Sequence, residues 1–392
     1  MPTPRRTPFI EARFLDALPK QHDVEHRLTD HLLRLRDDGW TPEPPDAGGG
    51  VGGKPDASPV DADDADDLIA RYGPGGSYET ARRRRQHFVK GADEARIARR
   101  ARRYVERVTA STGLSHLAGE DVQRLKVLRD GAALVSVESE HRADEIAAAL
   151  HADMPWMGHG TEQVWQAMRS SVREDALRLR LPPMLLVGPP GIGKSHWARR
   201  MGELLGMSTT VVEATGEPAS FAIVGSQHVW ASAGLSRLVD MVLRTRMANP
   251  LVVIDEIEKA GEARSTSGRS WNLANALLPP LERSTAAQWS CPYFRVVFDM
   301  SWVGWVMTAN STEGLPAPLL SRVPPLRLPH LAREQLIGFA QQQAVRRGLP
   351  EEVTDEIAAI LESLSEHDRP SLRSVVRMVE RAEAVLARPL LH

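Results

Sequence analysis

The chain has almost no cysteine: Cys291 is the only one in 392 residues. A single thiol excludes a disulfide framework and a cysteine-based zinc site, and it fits a reducing compartment. Long apolar runs are missing as well. None approaches the roughly 18 residues that a membrane-spanning helix needs. The start, Met1-Pro2-Thr3-Pro4-Arg5-Arg6-Thr7-Pro8, is basic but lacks the apolar core of a secretory signal. These absences predict a cytoplasmic protein with no membrane partner. Net charge is also close to absent, at −2, yet it is unevenly spread: Arg82 to Arg107 holds eleven Lys/Arg against three acids. Such a stretch reads as a solvated basic helix or as a contact for nucleic acid or an acidic partner. Its only aromatics are Phe88 and Tyr104, and it has no base-reading motif.

What is present suffices for ordinary cores, with 42% hydrophobic residues in a length that suggests two or three domains. Residues 8–39 carry Phe9, Phe14, Leu15, Leu18, Val24, Leu28, Leu32, Leu33 and Leu35 at helical spacing. The segment Thr41 to Asp67 is rich in Pro, Gly and Asp, cannot bury a core, and predicts a flexible acidic linker. A charged helical pattern resumes over Tyr78 to Ala110. Val122 to Ala149 predicts a small α/β or helical element. From Met154 apolar runs (Met184–Val187, Thr209–Val212, Leu251–Ile254, Trp305–Thr308) alternate with helical stretches, which predicts a parallel sheet covered on both faces. From about Leu331 the pattern is wholly helical.

The run Met184–Val187 leads into Gly188-Pro189-Pro190-Gly191-Ile192-Gly193-Lys194-Ser195, and a helix-compatible stretch follows from His196. This is a phosphate-binding loop in its proper context of strand before and helix after. Glycines let successive amides point at phosphate oxygens, helped by the positive end of the next helix. Lys194 reaches the β- and γ-phosphates and Ser195 holds Mg²⁺.

Such a loop needs an acidic companion. Leu251-Val252-Val253-Ile254-Asp255-Glu256 supplies it, with two carboxylates at the strand end where ligands of an open parallel sheet sit. Asp255 is assigned to the magnesium and Glu256 to polarising the attacking water. A third strand, Trp305–Ala309, ends at Asn310, whose amide can hold both that water and the γ-phosphate.

Together Gly188–Ser195, Ile254–Lys259 and Met307–Ser311 with Leu315–Arg322 resemble the AAA+ ATPases, most closely the ATPase module of the Lon family. Tyr293–Ser301 and Ser371–Arg377 resemble Lon too, and the resemblance covers roughly residues 154–388. It implies an α/β fold: a P-loop AAA+ parallel-sheet domain over 154–328 and a small helical lid domain over 329–392. A helical segment (1–40), a disordered linker (41–77) and a mainly helical region with the basic stretch (78–153) precede them.

The resemblance implies roles residue by residue. Asn310 is similar to the sensor-1 residue, Arg322 to an arginine finger serving a neighbouring subunit, and Arg373 to sensor 2. ATP is the implied nucleotide and Mg²⁺ its cation. His159 and Gly160, in Gly158-His159-Gly160-Thr161, match the place where the family packs backbone on the adenine, and His196 joins the nucleotide contacts. Trp230 falls where Lon-like ATPases put a first pore-loop aromatic that grips polypeptide. Arg264–Ser270 reads as a second channel-facing loop. Lon carries a protease domain after the lid, whereas this sequence runs to His392. The expectation is therefore a ring-forming ATPase, a hexamer of itself, that remodels or threads a protein substrate or serves a separate effector. The alternatives are a nucleic-acid-associated ATPase acting through Arg82–Arg107, or an ATP-gated switch.

Overall fold

The computed structural model describes residues 6–37, 89–174, 178–215, 223, 225, 234–260, 262–264, 270–364 and 370–387. The linker expected over 41–77, the basic residues Arg82–Arg85 and Trp230 lie outside them. Two compact units result: Arg13–Ser115, and Met1–Ala12 joined with His116–His392. No helix among the described residues is long and apolar enough to cross a membrane.

The smaller unit pairs the helices Gln21–Asp37 and Gly91–Ser111. Val24, Thr29, Ala101 and Leu114 are buried, and Arg36 donates to Asp93 at 2.9 Å. The helical spacing of residues 8–39 thus becomes helix only from Gln21. Pro8 lacks an amide, and Pro19 disfavours helix in the residue before it. Residues 6–11 form edge pairings within the larger unit instead. Arg6–Thr7 runs antiparallel to Ala132–Ala133, and the Asp299 amide donates to the Phe9 carbonyl at 2.9 Å. Phe9, 1% exposed, packs edge-on against Phe298 with centroids 6.0 Å apart. Its apolar periodicity therefore buries a strand-like edge.

The larger unit is built on a five-stranded sheet. We number its strands β1 (Met184–Val187), β2 (Thr209–Glu213), β3 (Leu251–Asp255), β4 (Gly304–Ala309) and β5 (Pro325–Arg327). All pairings are parallel and the spatial order is β5-β1-β4-β3-β2. Every residue of β1 and β4, and Leu251–Ile254 of β3, is buried, as expected where helices cover both faces. The expected strands are all found, and β5 is additional. It is a short edge strand that opens on Pro325, a position where a missing amide is tolerated. Buried Asn249 stitches the far end of the sheet, bonding Val135 on both its amide and carbonyl and also the Leu179 carbonyl.

The wholly helical tail forms Arg333–Arg346, Glu351–Ser363 and Leu372–Leu386. Their buried Leu336, Ile357, Leu372 and Val375 share one core with Ile192 of the phosphate loop and Leu186 of β1. The start of the helix Leu372–Leu386 is packed directly on the loop.

Candidate nucleotide site

Register brings the site together. Ala309 pairs with Val187 and Met307 with Ile254, so Gly188, Asp255 and Asn310 emerge at one edge of the sheet. The Gly188 amide still donates to the Ala309 carbonyl at 3.1 Å as the chain leaves β1. Gly191 and Gly193 then take φ of +77° and +91°, a region that side chains with a Cβ avoid. A Cβ on Gly191 would also lie 2.5 Å from the Ser371 Cβ. Gly193 precedes the helix Lys194–Leu205 and lets it start where the loop ends.

Lys194 is 7% exposed, with Nζ donating to the carbonyls of Gly188 (2.7 Å) and Pro189 (2.9 Å) and to Asn310 Oδ1 (3.0 Å). Burial pulls its pKa below that of an ordinary lysine, while Glu258, Asp255 and Glu256 pull the other way. Three neutral oxygens thus hold an ammonium that phosphate oxygens can take over.

Asp255 accepts two hydroxyls: Ser195 Oγ at 2.6 Å, and Thr308 Oγ1, which in turn accepts from the Glu256 amide at 3.2 Å. Thr308 is fully buried in β4. Glu256 adopts the left-handed backbone conformation (φ 55°, ψ 50°), and its carboxylate pairs with Lys259 at 2.8 Å. That pair is partly exposed and inexpensive to open. The short turn Ile257–Lys259 then points Glu258 inward, where Oε1 accepts from the Asn310 amide at 2.9 Å.

These residues fit a magnesium nucleotide on their own chemistry. A hydroxyl and a carboxylate, 2.6 Å apart, are hard oxygen donors suited to Mg²⁺. The glycine cradle leaves backbone amides at a helix N-terminus, which suits anions.

Sequence reasoning missed four supporting side chains. Thr308 was counted within an apolar strand, and Glu258 was given no role. Trp156 donates through Nε1 to the Ile192 carbonyl at 2.9 Å, and Ser371 lies against Gly191 while the Leu372 amide donates to the Gly191 carbonyl at 3.0 Å. A polar residue inside an otherwise apolar strand was the one readable signal, and it pointed to Thr308.

The other expected residues are distributed around this centre. Arg373 is exposed on the first turn of Leu372–Leu386, next to the residues that touch the loop, with no ion pair among the described residues. Arg322 ends the helix Ala317–Arg322, where its ionic contact is Glu282 at 3.7 Å. His159 and His196 are exposed on their helices. Gly160 serves helix packing, since a Cβ there would come 3.1 Å from the buried Trp197 ring. Arg264 and Ser270 pair across a short antiparallel hairpin whose tip lies outside the described residues. In the other unit, Arg96, Arg99, Arg100, Arg103 and Arg107 are exposed along the basic helix.

Residues 184–327 match the family described as "ATPase family associated with various cellular activities (AAA)". Lon protease homolog 2, peroxisomal, of Arabidopsis thaliana is 29% identical over 252 residues, covering 64% of this chain and 28% of that protein. The Lon protease of Nitrosococcus oceani is 32% identical over 183 residues, covering 45% and 23%. The chain thus spans less than a third of the length of these curated relatives. A closed-state cryo-EM structure of Hsp104 with ATPγS and FITC casein covers 78% of this chain and 55% of its own at 14% identity, with a TM-score of 0.48. The chain carries an AAA ATPase domain over residues 184–327 and has sequence similarity to the Lon proteins.

Proposed function

We propose that this chain hydrolyses Mg²⁺-ATP at sites completed between copies in a ring, and uses the turnover to remodel or thread a protein. The observation that carries the reading is the convergence of Lys194, Ser195, Asp255 and Asn310 at one sheet edge, joined by bonds of 2.6 to 3.0 Å. In this reading Lys194 neutralises the β- and γ-phosphates and the loop amides of Gly188–Ser195 cradle them, with Pro189, Pro190 and Ile192 shaping the turn. Ser195 and Asp255 hold Mg²⁺, which when bound offsets the charge of the phosphates. Asn310 orients the attacking water and Glu256, once free of Lys259, accepts hydrogen bonding from it. Catalysis of this kind is positioning plus charge stabilisation.

Arg322 stands half exposed, its ionic contact being Glu282 rather than any loop residue. That supports a finger offered to a neighbour. Arg373, beside the loop-contacting Ser371 and Leu372, ties the lid to the nucleotide. His159, Gly160 and His196 are placed around the rest of the nucleotide. A hexameric ring and a protein substrate or separate effector follow from similarity to Lon, whose relatives are proteases. Trp230 gripping polypeptide in the channel rests on sequence alone.

Mixing two inactive variants tests the shared site. Arg322→Ala alone should bind ATP yet lose about 10³-fold or more in turnover. Lys194→Ala retains Arg322 but has lost its own nucleotide grip. Mixed assemblies should regain activity where the Lys194→Ala copy lends its arginine. Failure to regain any, with assembly verified by light scattering, would sink the inter-subunit reading, as would full turnover by a monomer.

A further inference from the structure

Three carboxylates, Asp255, Glu256 and Glu258, lie at or just past the end of β3, and only two have roles so far. Asp255 is held by hydroxyls and Glu256 by Lys259. Glu258 turns inward and is half satisfied: Oε1 accepts from the Asn310 amide at 2.9 Å, while Oε2 is buried with no hydrogen-bond partner among the described residues. A buried carboxylate oxygen without a hydrogen bond is costly, even with the Lys194 charge close enough to interact with Glu258. The position of Glu258 points to its role. Asn310 is the first residue after β4, where the sheet no longer supplies a partner for its amide. The same residue's Oδ1 accepts from Lys194 at 3.0 Å. Asn310 is therefore gripped at two points, by Lys194 on its side chain and by Glu258 on its backbone.

We propose that Glu258 is a positioning residue that clamps the Asn310 backbone and so aims the Asn310 amide at the γ-phosphate and attacking water. The inference rests on the reading of Asn310 given above. It works through a hydrogen bond, and any acceptor of the same shape should serve. A misplacement of about 1 Å at such a group lowers turnover by roughly 100-fold. Ground-state nucleotide binding relies on the glycine loop and Lys194, and is left nearly intact.

The test uses the assembled full chain and measures kcat and KM for ATP, with melting temperature alongside. Glu258→Met removes the acceptor at similar volume and also removes the orphaned oxygen, so the protein should fold. It should lose about tenfold to 100-fold in kcat while KM stays within roughly threefold. Glu258→Gln keeps Oε1 as an acceptor and should hold most of the wild-type kcat. Glu258→Met combined with Asn310→Ala should be no slower than Asn310→Ala alone. Losses that multiply in the double variant would overturn the clamp, because Glu258 would then act independently of Asn310. Gln as slow as Met would overturn it too, since charge rather than the hydrogen bond would matter. Should Asn310→Ala leave kcat unchanged, the assignment of Asn310 itself has failed, a result separate from either of these.

Discussion

The edge of the sheet and the helix pair of the smaller unit place their charges in opposite ways. At the edge, Lys194 and Asp255 are held chiefly by neutral dipoles: two carbonyls, an amide oxygen and two hydroxyls. Those dipoles belong to the phosphate loop, to β4 and the residue that follows it, and to a helix start, so they cannot readily follow a charge that moves. In the helix pair, charge meets charge in partly or largely exposed pairs, as in Arg36 with Asp93 and Arg102 with Glu106. Fixed dipoles around a buried ion are ready to receive another ion of matching sign, whereas surface pairs satisfy themselves and are screened. One arrangement is suited to chemistry and the other to modest stabilisation.

The contrast breaks first at Lys194. Lys194→Ala leaves the Gly188 and Pro189 carbonyls and Asn310 Oδ1 without their shared donor and removes the cation that phosphates need. Turnover should fall by at least about 10³-fold, measured as phosphate release. If most activity survives, the buried ammonium is a packing device and the two regions differ less than their geometry implies.

A smaller effect should come from Thr308→Val, which keeps shape and deletes a hydroxyl that both donates to Asp255 and accepts from the Glu256 amide. Leaving one buried group unpaired costs about 1–3 kcal/mol. Chemical denaturation should register that loss, and kcat should drop by roughly tenfold as Asp255 and Glu256 loosen. A variant as active as wild type would mean that the strand alone holds both carboxylates.

How much of this was legible in the sequence follows the same division. β1, β3 and β4 were readable because fully buried parallel strands are continuous apolar runs, and their C-terminal ends announced Gly188, Asp255 and Asn310. β5 was not, since three residues opening on Pro325 carry neither length nor period. The stretch before Gln21 misled because Phe9 and its apolar neighbours fit a helical period, while the backbone bonds that decide their conformation come from residues near 298, far along the chain. Thr308 and Glu258 escaped for a related reason. Each has its partner on or just past a different strand, and a local pattern reads a lone hydroxyl as an interruption and a trailing carboxylate as a solvated helix start.

The smallest effect belongs to the helix pair and has a definite sign with pH. Burial at the interface works to raise the Asp93 carboxyl, but the Arg36 hydrogen bond and the Lys90 amide outweigh it, leaving its pKa below the ordinary 3.8. A carboxyl depressed in the folded state stabilises fully above its unfolded pKa, and that contribution is lost as pH falls through the folded value. Amide hydrogen exchange in Gln21–Asp37 and Gly91–Ser111 should therefore speed up as pH is lowered below 3.8, beyond the intrinsic trend. Asp93→Asn should abolish that extra acceleration and leave ATP turnover unchanged at neutral pH. An Asp93→Asn chain with impaired turnover would show that the surface pair reaches the chemistry after all, and the division between the two regions would have to be redrawn.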